Sequence, residues 1–187
     1  MARKRKRKSK KKSKQSLKYE VYGIVIIVLS IISLAGFGNN ALGSVGWSLS
    51  NVFMFLTGRH YYVIPLIAIY VGLFVMIKRA WPLEWSLRRT GILLIIFGFL
   101  VTEHIALYMP AHASGAFTAG QVFTQPYYNV KAMIQQEVTN EVFMSRLGGG
   151  MIGALIYGTL YFLFADLGSK LVVVAMFAIG LLCLTGW

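Results

Sequence analysis

Long apolar runs alternate with short polar breaks along most of the chain. Four of these runs are close to 20 residues long, and each contains no charged residue or a single one. About 20 apolar residues cross the roughly 30 Å hydrocarbon core of a bilayer. The pattern therefore predicts four transmembrane helices, at about residues 21–37, 61–77, 90–108 and 169–187.

Two shorter apolar segments come directly before the second and the fourth predicted spans. Residues 45–57 place apolar side chains on one helical face, with Ser48 and Asn51 on the other. A helix of this length is too short to cross and is predicted to be interfacial or re-entrant. Residues 149–165 are predicted to form a second such helix. Hydropathy alone also allows residues 148–165 to cross, which would give five spans and an external C-terminus.

The order of span, short helix and span therefore occurs twice. The segment before the second span is LGSVGWSLSNVFMFLTG, and the segment before the last span is LGGGMIGALIYGTLYFLFADLG. Both begin with glycines, and both end at a polar break. This parallel predicts two structural repeats and favours four spans over five. The expected fold is an all-α integral membrane domain over residues 21–187, with four transmembrane helices and two short interfacial or re-entrant helices.

Basic residues are concentrated ahead of the first span. Eleven of the nineteen Lys and Arg residues lie in the first twenty positions. Their mutual repulsion and the lack of apolar residues predict that this tail, residues 1–20, is disordered. It is expected to contact the phosphate groups of anionic lipids or of double-stranded DNA. The residues predicted to make these contacts are Arg3, Lys4, Arg5, Lys6, Arg7, Lys8, Lys10, Lys11, Lys12 and Lys14.

Charge also orients the chain in the membrane. Positively charged flanks stay in the cytoplasm, so the tail is predicted to be cytoplasmic. Residues 78–89, between the second and third spans, hold four basic residues and one acid and are predicted to lie on the same side. Residues 109–147 then form an extracytoplasmic loop, and four spans return the C-terminus to the cytoplasm.

Few residues suggest chemistry. The single cysteine and the three scattered histidines form no metal-binding spacing, and no phosphate-binding loop occurs. We therefore predict no catalytic residue, no metal site and no cofactor. Glu103 and His104 lie near the outer end of the third span. An intramembrane carboxylate suggests an ion or proton relay, whereas reaching to the interface or pairing with a neighbouring helix would also account for it.

Glycines are predicted to mark helix packing in the last part of the chain. Small residues spaced four apart allow helix backbones to approach closely in lipid, although they also allow a flexible turn. The predicted packing residues are Gly149, Gly153, Gly158 and Gly180.

The last forty residues resemble the end of the membrane domain of the FtsK/SpoIIIE family of bacterial DNA translocases. In that family a GGxIG element opens a short non-crossing helix, a polar break with glycine follows, and the last span ends at TG or TGW. The basic tail is similar to that of the SpoIIIE-like members from Gram-positive bacteria. The residues that fit the family pattern are Gly149, Gly150, Ile152, Gly153, Gly168, Gly180, Thr185, Gly186 and Trp187.

This resemblance implies an N-terminal membrane anchor with both termini in the cytoplasm, located at the division septum. In the family, an ATP-driven motor outside these residues forms a homo-hexamer and moves double-stranded DNA during cell division or sporulation. Septal division proteins are further expected partners. Any DNA path through the membrane part would be lined by small polar residues such as Ser30, Ser33 and Thr102, or would form between subunits. The alternatives are a self-contained small transporter or channel, and a division scaffold.

Overall fold

The computed structural model describes residues 2–36, 43–113, 120–136 and 147–186, and every regular element in these residues is helical. The predicted all-α class is therefore confirmed for this part of the chain. Met1, Phe37 and Trp187, which the predicted tail and spans include, lie outside the described residues. The elements are α1 (Ala2–Ala35), α2 (Gly43–Thr57), a 3-10 turn (Gly58–His60), α3 (Val63–Lys78), α4 (Leu87–Ala113), α5 (Gln121–Gln136) and α6 (Gly150–Thr185).

Three described segments are long and apolar enough to cross a membrane: Leu17–Ala35, Leu87–Tyr108 and Gly150–Thr185. A fourth candidate arises if α2 with its 3-10 turn and α3 are counted as one broken span, but the two parts are bent by 111°. The described residues thus contain three to four candidate spans, which agrees with a multi-span membrane domain.

A backbone break divides α6 into two segments. With 36 residues, α6 would be about 54 Å long if it were straight, well beyond the thickness of a hydrocarbon core. Ala165 has non-helical angles, φ 53° and ψ −167°. We refer to residues 150–164 as the α6 N-segment and to residues 166–185 as the α6 C-segment. The break falls where the sequence predicted the end of a short helix.

The N-terminal tail differs from its prediction. Disorder was expected over the basic residues, but α1 begins at Ala2 and continues through the first apolar run to Ala35. Lys and Arg are good helix formers. Extending a helix that already exists costs much less than starting a new one. The apolar part of α1 supplies that start, so the prediction from charge repulsion alone was wrong.

The predicted loop at residues 109–147 is also more helical than expected. α4 extends to Ala113, and α5 occupies Gln121–Gln136 with Pro126 inside it. Residues 114–119 and 137–146 of this loop lie outside the described part of the chain. Val122, Pro126 and Val130 are buried at intervals of four residues, so one face of α5 packs on the rest of the protein.

The helices at the four predicted spans pack as two antiparallel pairs that cross at glycines. α1 crosses α3 where Gly23 meets Gly72: a Cβ atom added to Gly23 would lie 2.6 Å from the Gly72 carbonyl oxygen. α4 crosses the α6 C-segment where Gly91 meets Gly180, and a Cβ atom on Gly91 would also lie 2.6 Å from the opposing carbonyl oxygen. In both pairs, therefore, the backbones are too close for a larger residue.

The first half of the protein comprises α1, α2 and α3, and the second comprises α4, α5 and α6. In each half, the short helix packs on the first long helix. A Cβ atom on Gly46 of α2 would lie 2.9 Å from the carbonyl oxygen of Ile32 in α1. A Cβ atom on Gly153 of the α6 N-segment would lie 2.7 Å from the carbonyl oxygen of Leu100 in α4. Ile32 follows the crossing glycine of α1 by nine residues, as Leu100 follows that of α4. The two halves therefore repeat the same contacts at the same spacing.

Backbone geometry repeats along the short helices as well. Gly43 and Gly150, three residues before the packing glycines, have φ angles of 74° and 63°. Gly58 and Ala165, twelve residues after those glycines, have φ angles of 62° and 53°. These matched positions support the two structural repeats that the sequence predicted.

The two halves meet at the layer of short helices. The backbone N–H of Arg59 donates a hydrogen bond to the carbonyl oxygen of Gly148 at 3.0 Å. A Cβ atom on Gly150 would lie 2.7 Å from the carbonyl oxygen of Leu56. Met54, Val130 and Leu147 form a buried cluster at this junction, which brings α5 into the same layer. Contact between the halves is concentrated here rather than between the spans.

Substitution of a crossing glycine tests this packing. Gly72→Val and Gly180→Val each force side-chain atoms into the opposing backbone, and overpacking of this kind typically costs about 1–3 kcal/mol. We expect both variants to lower the thermal unfolding midpoint of the protein in detergent. Gly120→Ala is the matched control, because nothing lies within 4 Å of its added Cβ atom. Equal midpoints for all three variants would contradict the crossings.

Candidate functional site

The basic residues predicted to bind phosphate all lie in the first part of α1. Positions 3–14 are consecutive residues of one helix and are mostly Lys and Arg. The same helix continues into the first apolar segment, which begins at Leu17.

An ion pair joins α1 to the end of α3 at the point where the basic tail meets the first apolar segment. The Arg79 guanidinium lies 2.7 Å from a carboxylate oxygen of Glu20. Arg79 caps α3 in a left-handed conformation, and its backbone N–H donates a hydrogen bond to the carbonyl oxygen of Val75. The rings of Tyr22 and Trp81 lie 6.3 Å apart beside this pair. The tail therefore emerges next to the connection between α3 and α4.

Glu103 joins the two halves at the opposite end of the spans. One of its carboxylate oxygens lies 3.6 Å from Nε2 of His60, which precedes α3. The other ring nitrogen of His60 lies 2.9 Å from the Tyr62 hydroxyl. Pairing with a neighbouring helix was one of the three explanations that the sequence allowed for Glu103. His60 itself was not identified, because it is 43 positions away from Glu103 and no local periodicity connects them.

His104, although adjacent to Glu103, has different surroundings. It is 2% exposed and lies beside the backbone of Val122 in α5. Its ring lies 5.8 Å from that of Tyr157 in the α6 N-segment. His104 thus ties three helices together, whereas Glu103 contacts the other half. Within the described residues, no three His, Cys, Asp or Glu side chains are placed to hold a metal ion.

The glycines predicted to mark packing lie at close contacts. Gly149 and Gly153 both face the backbone of Leu100, and Gly180 faces Gly91. Gly158 lies under the Phe123 ring of α5, with its added Cβ atom 2.6 Å from Cε1. The first three contacts join helices of the same half, and the fourth seats α5 on the α6 N-segment.

The serines considered for a DNA path are buried within the protein. Ser30 and Ser33 are 4% and 0% exposed. The Ser50 hydroxyl of α2 donates a hydrogen bond to the carbonyl oxygen of Ser33, and the Ser30 hydroxyl donates one to the carbonyl oxygen of Ile26. Ser30 and Ser33 therefore do not line an open path. Thr102 is exposed, and its hydroxyl donates a hydrogen bond to the carbonyl oxygen of Gly98.

An open groove of about 520 Å³ lies between α2 and α5. Sequence reasoning missed it because α5 was not predicted to begin at Gln121. The strongest signal for α5 in the sequence was the four-residue spacing of Val122, Pro126 and Val130. Pro126, however, argues against a helix. The groove is lined by Asn51, Val52, Phe55, Tyr127, Val130, Lys131 and Gln135.

Comparison with known proteins gives one consistent result. The chain is 34% identical over 183 residues to the DNA translocase FtsK of Halalkalibacterium halodurans, covering 98% of this chain and 22% of that protein. It is 32% identical over 189 residues to FtsK of Bacillus cereus and 30% identical over 187 residues to the DNA translocase SpoIIIE of Bacillus subtilis. Each of these two alignments covers 99% or more of the chain and 23% of the relative.

The chain thus spans under a quarter of the length of these relatives. No protein-family profile matches it, and no solved structure is similar to it. The resemblance found in the sequence is confirmed by the relatives. Over nearly its whole length, the chain is homologous to the N-terminal region of the FtsK/SpoIIIE family of DNA translocases.

Proposed function

We propose that this chain is the membrane anchor and assembly domain of a septal, ATP-driven DNA translocase that acts in chromosome segregation during cell division or sporulation. The similarity carries this proposal, because it includes almost the whole chain but less than a quarter of each translocase. The apolar helices are consistent with an anchor. ATP hydrolysis, DNA transport and hexamer formation belong to the rest of such a protein in this proposal.

In the proposed arrangement α1, α3, α4 and the α6 C-segment cross the bilayer. α2 and the α6 N-segment remain at the outer surface. Two observations support this arrangement: α6 is too long for one crossing, and its N-segment occupies the position in the second half that α2 occupies in the first. Lys78, Arg79, Arg88 and Arg89 then lie in the cytoplasm together with the tail.

The side of the membrane on which the chain ends tests this topology. A reporter that is active only in the cytoplasm, fused after Trp187, is expected to be active, because four crossings return the chain to the side of the tail. A second reporter, active only outside the cell membrane and fused at the same position, is the matched control and should be inactive. The opposite pattern means five crossings. It would place a following motor away from ATP and contradict the proposal.

The basic part of α1 is proposed to bind anionic lipid, and double-stranded DNA is its alternative ligand. Replacing the ten basic residues at positions 3–14 by Gln should greatly weaken attachment to anionic vesicles, since each basic residue near such a surface contributes about 1 kcal/mol. We would measure co-flotation of the full chain, held in neutral nanodiscs, with anionic vesicles. A gel shift with duplex DNA is the parallel measurement.

The charge-preserving control replaces Arg3, Arg5 and Arg7 by Lys, and it should bind like the original chain. Binding of the original chain should also fall as salt rises, because exposed charges are screened beyond about 10 Å at 0.1 M salt. If the Gln variant still floats with anionic vesicles at low salt, the electrostatic role of the tail is wrong.

A small transporter remains the second candidate, because Glu103 lies near the outer end of a predicted span and contacts His60. An anchor should tolerate replacement of Glu103 and His104 by Gln, with septation and growth unchanged apart from a modest loss of stability. Proton flux into liposomes containing the original protein should equal that of empty liposomes. Flux that disappears in the double variant would favour the transporter and overturn the anchor.

A further inference from the structure

The groove between α2 and α5 combines an apolar wall with two side-chain hydrogen-bond donors, Asn51 and Lys131. Val52, Phe55, Tyr127 and Val130 form most of its wall. Its volume of about 520 Å³ is within the range of small-molecule binding sites, which is roughly 300–1,000 Å³. The shape and the lining are thus suited to a flexible apolar chain rather than to a compact polar ligand.

Asn51 is the first of the donors. Its side-chain Nδ2 is buried and has no hydrogen-bond partner among the residues that the structure describes. A buried amide that has lost water without gaining an acceptor is costly, so an acceptor from a ligand would stabilise this position. An amide nitrogen can only donate. The missing partner must therefore present an oxygen or another acceptor.

Lys131 is the second donor, on the other side of the groove. Its side chain is exposed, and no carboxylate pairs with it among the residues that the structure describes. An ammonium group can also only donate, and it adds a positive charge. Together, Asn51 and Lys131 select a ligand whose polar end carries acceptor oxygens and negative charge.

The position of the groove indicates the source of such a ligand. In the topology proposed above, on which this inference rests, α2 and α5 lie at the outer ends of the spans. Tyr127 and Tyr128 of α5 are 51% and 60% exposed, and exposed tyrosines are typical of the headgroup level of a bilayer. At that level, phospholipids are the abundant molecules that join an anionic phosphate to an apolar chain.

We propose that this groove binds one anionic phospholipid, with an acyl chain along Val52 and Phe55 and its phosphate at Lys131 and Asn51. The lipid would touch both α2, from the first half, and α5, from the second. It would therefore strengthen the layer in which the two halves meet. Other lipids around the spans would exchange freely, whereas this one would be held.

Spin-labelled phosphatidylglycerol tests the proposal. The full chain is reconstituted in phosphatidylcholine membranes, and electron paramagnetic resonance measures the immobilised fraction of the probe. We expect a saturable immobilised component, about one lipid per chain. Lys131→Gln should weaken its binding about fivefold, the effect of roughly 1 kcal/mol for one basic residue at the surface. Lys170→Gln is the matched control, because Lys170 pairs with Asp166 away from the groove.

A second variant separates the groove from simple surface charge. Val52→Trp fills the apolar wall without changing charge and should remove the immobilised component. Because Val52 is 52% exposed, the larger side chain does not disturb the core. If Lys131→Gln lowers binding while Val52→Trp does not, the lipid is held by charge alone and the groove assignment is wrong.

Three further results would overturn the proposal. Equal immobilisation of spin-labelled phosphatidylcholine and phosphatidylglycerol means ordinary boundary lipid. An unchanged signal in Lys131→Gln means that this residue does not hold the headgroup. No immobilised component in the original chain means that protein covers the groove, from this chain or a second copy. The C-terminal reporter separates these failures from a wrong topology: a cytoplasmic C-terminus leaves the anchor proposal intact while the lipid site fails.

Discussion

Helices inside a bilayer gain little from the hydrophobic effect when they meet, because lipid tails are as apolar as the side chains that they replace. Their association depends on close packing and on contacts between backbones. In this protein, glycine provides those contacts at both span crossings, Gly23 with Gly72 and Gly91 with Gly180. At any of these positions even a single Cβ atom requires a small shift of the backbones, and a branched side chain would separate the pair, so the arrangement of all four helices follows from them.

The same constraint explains why each half is a unit. Once its two spans cross at glycines, the short helix of that half can pack on the first span through Gly46 or Gly153. The two units then meet at the layer of short helices, where the backbone around Gly58 contacts the backbone around Gly150. Such a layer joins the units at one end and leaves most of the apolar surface of the candidate spans exposed.

The sequence predicted the parts that depend on local pattern. Apolar runs located the helices, and the glycine-rich starts of the two short segments indicated the repeat. The prediction from sequence failed where two tendencies compete. In the tail, the helix propensity of Lys and Arg, beside a helix that was already formed, outweighed charge repulsion. Pro126 obscured α5 for a similar reason: its ring argues against a helix, which is nevertheless stabilised by the packing of Phe123 on Gly158 and by the burial of Val122.

Long-range pairs were beyond the sequence. Gly23 and Gly72 are 49 residues apart, and nothing near either glycine specifies the other. The contact between Glu103 and His60 and the groove between α2 and α5 likewise exist only after both halves have folded and met. A single sequence contains the residues of these sites but does not show which residues pair.

The most direct test of the account uses Cys183, the only cysteine of the chain. A Cβ atom added to Gly91 would lie 2.9 Å from the Cβ atom of Cys183. Disulfides span about 3.5–4.5 Å between these atoms, so a small shift is enough for a bond. Gly91→Cys is predicted to form an intramolecular disulfide when membranes are oxidised, keeping fragments cut between α4 and α6 together until they are reduced. Gly98→Cys, which faces the Phe177 ring two turns away, should form none. If the Gly91→Cys fragments separate without reduction, the start of α4 and the end of α6 do not meet, and the paired-helix architecture is wrong.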